Sequence, residues 1–111
     1  MIEPRSIATR IHGRILVQHG SGDAVVLGFH GYYESADTQM ARLRAIPGSD
    51  AWTLVSVQGL HRFYRGRSHD VVASWMTRQD RELAIADNVA YVDAVLDSVK
   101  GAAWMGIVVQ K

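Results

Sequence analysis

The chain has no cysteine among its 111 residues. That excludes a disulfide framework, thiolate catalysis and cysteine-based zinc sites, and it suits a reducing compartment. Charge of one sign is also missing. A formal net charge of +1 is too near neutral to draw the whole surface toward nucleic acid or an anionic membrane. No apolar run approaches the roughly 18 residues that a membrane-spanning helix needs. The opening Met1-Ile2-Glu3-Pro4-Arg5-Ser6 lacks the basic start and apolar core of a signal peptide. Neither a Gly-Lys-Ser/Thr loop nor a dinucleotide fingerprint occurs, so no nucleotide cofactor is expected. There are no internal repeats, low-complexity stretches or linkers. A chain of this length is one domain or part of one, and the expectation is a cytoplasmic protein without cofactors.

What is present is ordinary globular composition, 48% hydrophobic and 21% charged. Residues 11–18 read as a strand and 19–23 as a Gly-rich turn. Ala24–Phe29 then forms a second strand, predicting an antiparallel hairpin. Ser35 or Asp37 is placed to cap a helix carrying Met40, Leu43 and Ile46, which Pro47-Gly48 stops. Residues 52–57 form a third strand. Residues 60–74 show no clear period and read as a long loop. Thr77 and Asp80 offer caps to a longer helix, where Ile85, Val89, Val92, Leu96 and Val99 make one apolar stripe. Residues 102–109 read as a fourth strand. The order predicts an α/β fold: a partial sheet of about four strands, a hairpin start then parallel strands, with two flanking helices.

The stretch from Ala24 to Tyr32 joins a fold signal to a chemical one. Its apolar run suits a strand buried on both faces of a parallel sheet. Gly31 then lets the backbone turn sharply, at the carboxyl end of a strand, where open α/β sheets place their ligands. Gly66-Arg67-Ser68-His69-Asp70 has a serine, a histidine and an aspartate in a row. A nucleophile elbow needs a buried strand before the serine and a helix after it, and the base must come from a separate element. Ser68 is therefore not expected to be a nucleophile. His12 and His19 flank the hairpin, and His30 is expected to order its own turn. His61 and His69 lack a carboxylate–histidine spacing, so no metal site is expected. Arg62, Arg65 and Arg67, interleaved with Phe63 and Tyr64, suit an anionic partner, although the near-neutral charge argues against nucleic acid.

Three stretches carry a family resemblance: Val25-Val26-Leu27-Gly28-Phe29-His30-Gly31-Tyr32, then Ser74-Trp75-Met76, then the long helix just ahead of the last strand. With these in order, the chain resembles the N-terminal part of an α/β-hydrolase, in the phospholipase/carboxylesterase-like group of serine esterases. The resemblance implies that the Tyr32 backbone N–H donates to the oxyanion of the tetrahedral intermediate, within a turn made by His30 and Gly31. It also implies that Tyr33, Trp75 and Met76 shape the pocket for a small-molecule ester; by their chemistry alone, Trp75 and Met76 equally suit anchoring the loop to the core. The family's serine stands in a Gly-x-Ser-x-Gly elbow after the strand that follows the long helix. Here that strand reads Trp104-Met105-Gly106-Ile107-Val108-Val109-Gln110-Lys111, without an elbow.

The expectation is thus that residues 1–111 are the N-terminal half of an α/β-hydrolase domain, truncated before the nucleophile. Such a half has no esterase activity alone. Its last strand becomes an apolar edge, open to self-association or to a complementing C-terminal half. The alternative is a small non-catalytic α/β binding module that uses the Arg-rich loop 61–69 for an anionic partner.

Overall fold

A central sheet of four strands lies between two helices in the computed structural model, which describes residues 1–99 and 104–109. The elements are β1 (Arg14–Gln18), β2 (Ala24–Phe29), α1 (Ala36–Arg44), a short 3-10 turn at Ser49–Ala51, β3 (Thr53–Gln58), β4 (His61–Tyr64), β5 (Val71–Ser74), α2 (Arg81–Ser98) and β6 (Trp104–Val109). The sheet order is β1-β3-β2-β6, and β4 and β5 form a separate antiparallel pair. The fold is α/β with a partial, mixed sheet.

Strand β2 is the centre of the molecule, parallel to β3 on one side and to β6 on the other. Successive side chains of a strand point to opposite faces, which divides the core in two. Val25, Leu27, Val55 and Val57 pack with Val95 of α2, whereas Val26 and Leu54 pack with Leu43 of α1. Helix α1 begins where the sequence places it, with the Ser35 hydroxyl accepting from the Thr38 N–H at 3.3 Å. It approaches the sheet closely: a Cβ at Gly28 would come within 2.8 Å of Leu43.

Four sequence expectations are corrected. The first two strands do not pair as a hairpin; β1 runs antiparallel to β3, with Ile15 opposite Val57 and Val17 opposite Val55. The glycine-rich connection passes across the start of β3 instead of folding back on itself. Gly22 N–H donates to the Ala51 carbonyl at 2.8 Å, and a Cβ at Gly20 would lie 2.2 Å from the Trp52 carbonyl oxygen. Glycine allows that approach, so the chain steps over one strand.

Residues 60–74 are not a long loop. They contain β4 and β5, closed by a turn in which Arg65 N–H donates to the Asp70 carbonyl at 2.9 Å and Gly66 has φ +51°. The buried face of α2 matches the predicted stripe only toward its C-terminal end. Ile85 and Val89 are 41% and 58% exposed, whereas Leu96 and Val99 pack on the core, and the side toward the sheet also carries Asn88, Tyr91 and Val95. Two polar side chains set that rotation. The Tyr91 hydroxyl donates to the carbonyl of Gln58 or Arg14 and accepts from the Arg14 N–H, while the Asn88 amide donates to the Trp75 carbonyl. The helix start is also unlike a side-chain cap, since Asp80 takes a left-handed backbone with φ +51° and makes no capping bond.

Candidate functional site

From β2 the chain crosses to β3, and later returns past β2 to β6 on its other side. Strand order therefore reverses between β2 and β6, and a crevice beyond the carboxyl ends at such a point is where open sheets bind ligands. A crevice of 360 Å³ opens there. Residues 29–32 form one wall, Trp75 and Met76 another, Asn88 and Val92 of α2 a third, and Val109 of β6 completes it. The lining is chiefly apolar.

The His30-Gly31 turn is held from several directions. His30 is 1% exposed and both of its ring nitrogens are engaged. The Gly59 N–H donates to Nε2 at 2.9 Å, so Nδ1 carries the hydrogen and donates to the Gly31 carbonyl at 2.7 Å. This histidine positions the turn, with no ring nitrogen left for a general base or a metal ligand. The same carbonyl accepts the Glu34 N–H at 3.3 Å, closing a four-residue turn with Tyr33 left-handed at φ +68°. The Gly31 N–H donates to Glu34 Oε1 at 2.7 Å, and the Tyr33 N–H donates to the Ala73 carbonyl at 3.2 Å. Only the Tyr32 N–H in this turn has no partner among the described residues.

Peptide planarity makes that free donor directional. The Gly31 carbonyl and the Tyr32 N–H belong to one trans peptide plane and point opposite ways. By gripping the carbonyl, His30 fixes the line along which the Tyr32 N–H points. The Glu34 carboxylate is in turn paired with Arg42 of α1. The Arg42 guanidinium hydrogen-bonded to it holds the Glu34 carboxyl at about 2, well below its ordinary 4.5.

Trp75 is anchored to the core and borders the crevice. Its indole N–H donates to the His30 carbonyl at 2.8 Å and its ring stacks on the His30 ring at 5.0 Å, which anchors the segment; it also lines the crevice. Met76 lines the crevice beside it. Tyr33 turns elsewhere, its ring 5.9 Å from Phe63 and beneath the Arg65 guanidinium at 5.4 Å. Arg62 reaches back to the His12 carbonyl at 2.8 Å. The Ser68 hydroxyl donates to the Arg65 carbonyl at 2.8 Å within the β4–β5 turn, and the His69 ring lies against Tyr64. Ser68, His69 and Asp70 thus share a turn without forming a relay. Among the described residues, no three His, Asp or Glu side chains gather as a metal site. No helix among the described residues is long and apolar enough to cross a membrane.

Six residues at or beneath the crevice escape a reading of the sequence as site residues: Phe29, Glu34, Arg42, Asn88, Val92 and Val109. Glu34 and Arg42 are eight positions apart with the helix start between them, so the i, i+4 pattern of helical ion pairs does not reveal them. Asn88 did leave a signal. It interrupts the apolar side of α2 three residues after Ile85, and its Oδ1 is buried without a partner among the described residues. Set beside family models, characterised proteins and solved structures, the chain matches none of them.

Proposed function

We propose that the crevice is the acyl-binding and oxyanion side of a serine carboxylic-ester hydrolase of α/β-hydrolase type, esterase- or phospholipase-like, without the Ser-Asp-His triad. The observation that carries this reading is the Tyr32 N–H, without a partner among the described residues in a turn where the Gly31, Tyr33 and Glu34 amides are engaged, beside an apolar crevice. When a nucleophile attacks an ester carbonyl, negative charge develops on the oxygen. A backbone N–H held ready for it supplies about 3 kcal/mol of transition-state stabilisation. Phe29, Trp75, Met76 and Val92 supply an apolar wall for the acyl chain. The second donor follows the nucleophile in such enzymes, and no Gly-x-Ser-x-Gly occurs in these 111 residues. The serine, acid and histidine that this reaction needs are therefore not supplied by these residues, and the cysteine-free composition suits a cytoplasmic setting.

Titration with octanoate, a product-like carboxylate, tests the pocket by heteronuclear NMR. The Tyr32 amide and the Trp75 indole are expected to shift together and saturably. Octanoate that moves neither resonance sinks the acyl-pocket reading. The pure chain is expected to leave p-nitrophenyl esters intact; turnover that disappears in Ser68→Ala would overturn the assignment of the nucleophile to another segment.

A second reading has its own observation. Arg65 lies over Tyr33 with no carboxylate partner among the described residues, beside exposed Tyr32 and Tyr64. This basic and aromatic patch suits a binding module for an anionic partner. Salt-dependent binding to heparin, lost when Arg62, Arg65 and Arg67 are replaced by alanine, would favour it.

A further inference from the structure

We infer that Glu34, anchored by Arg42, is the positioning residue that keeps the His30-Gly31 turn in the form that leaves the Tyr32 N–H free. The inference deepens the proposed ester-hydrolase reading and rests on it for the meaning of that donor. Glu34 meets the turn three times. Its carboxylate accepts the Gly31 N–H at 2.7 Å, and its own N–H donates to the Gly31 carbonyl at 3.3 Å. Its carbonyl accepts the Ala73 N–H at 2.8 Å, which ties the turn to β5. Arg42 grips the carboxylate with both terminal nitrogens, Nη1 on Oε1 at 2.9 Å and Nη2 on Oε2. A planar guanidinium in this fork geometry restrains the carboxylate in direction as well as distance. The turn is thereby fastened to the first helix.

The restraint has something to hold against. Tyr33 sits at φ +68°, a backbone region that a non-glycine residue leaves when its neighbours allow. If the Gly31 amide is released, the turn loosens, and the peptide joining Gly31 to Tyr32 is left with only the bonds from His30 Nδ1 and the Glu34 N–H to its carbonyl to resist rotation. Rotation would present a carbonyl oxygen where the N–H belongs, repelling an oxyanion.

The test compares the full chain with Glu34→Ala, Glu34→Gln and Arg42→Lys by amide hydrogen exchange and octanoate titration. In the wild type, the Gly31, Tyr33 and Glu34 amides are expected to exchange slowly and the Tyr32 amide fast. Glu34→Ala is expected to speed exchange at Gly31 and Tyr33 by about tenfold or more and to weaken octanoate by about tenfold. Glu34→Gln, which can still accept from Gly31, falls between, and Arg42→Lys keeps most of the protection. A merely structural role predicts a lower Tm with unchanged octanoate affinity and unchanged relative exchange within the turn; that result overturns the inference. If Glu34→Ala does not fold, Glu34→Gln and Arg42→Lys carry the comparison. If wild type ignores octanoate, the acyl reading fails by itself, and the exchange pattern still decides whether Glu34 positions the turn.

Discussion

His30 shows how a residue with catalytic chemistry is turned to a scaffolding task by its surroundings. Each ring nitrogen meets a backbone group and the ring is stacked under Trp75. His30→Ala removes two buried hydrogen bonds and leaves a void, and is expected to destabilise the chain by about 2–4 kcal/mol. Urea unfolding measures that, and faster exchange of the Gly59 amide identifies its cause. Glu34 makes a different prediction, in pH. Its folded carboxyl lies at about 2 against an ordinary 4.5, so its contribution is complete above about 4.5 and disappears as pH falls toward 2. Partial exposure of the pair screens it, leaving about 1–2 kcal/mol at neutral pH. The stability gap between wild type and Glu34→Gln is expected to close on acidification across that window; a gap constant with pH would mean the ion pair contributes nothing. The place of the His-Gly turn was legible in the sequence, at the end of an apolar run, but its left-handed residue is Tyr33 and not Gly31. Glu34 and Arg42 were not, since their pairing depends on how α1 leaves the turn.

At the scale of the elements, burial on both faces made β2 readable to the residue. Its apolar run admits no alternation, and Ala24–Phe29 forms as the pattern predicts. The long helix is legible, but only the C-terminal part of its stripe, Leu96 and Val99, packs on the core. A periodic stripe measures hydrophobicity, whereas Tyr91 and Asn88 bring hydrogen bonds that rotate the helix about its axis. Val95→Ala is accordingly expected to cost about 2 kcal/mol, and Val89→Ser less than about 0.5 kcal/mol because that side chain is exposed. Equal losses in thermal unfolding would restore the stripe as the buried face. Strand β4 escaped the sequence because His61, Arg62 and Tyr64 are exposed, and a strand with so little burial has no hydrophobic alternation to reveal it. Strand β5 is buried at Val72, Ala73 and Ser74 but is only four residues long, too short a run for a period to show.

For the whole molecule, the uncovered edge matters most. Among the described residues β6 pairs only with β2, and Ile107 and Val109 are 63% and 64% exposed. An apolar edge without a charge or proline in the strand invites further pairing. Sedimentation is expected to show concentration-dependent association that Ile107→Lys reduces; a monomer at every concentration in both forms would refute it. The amino-acid sequence by itself determined the four strands of the central sheet and the two helices, the capped first helix, the doubly buried strand and the turn at its end, because each depends on residues within a few positions of one another. Only the tertiary structure decided that β1 joins β3, that α2 rotates onto Tyr91, and that Glu34 and Arg42 close around the turn. Those outcomes depend on contacts between groups far apart along the chain or on how neighbouring elements meet, where local periodicity carries no information and packing and hydrogen bonding choose among the arrangements.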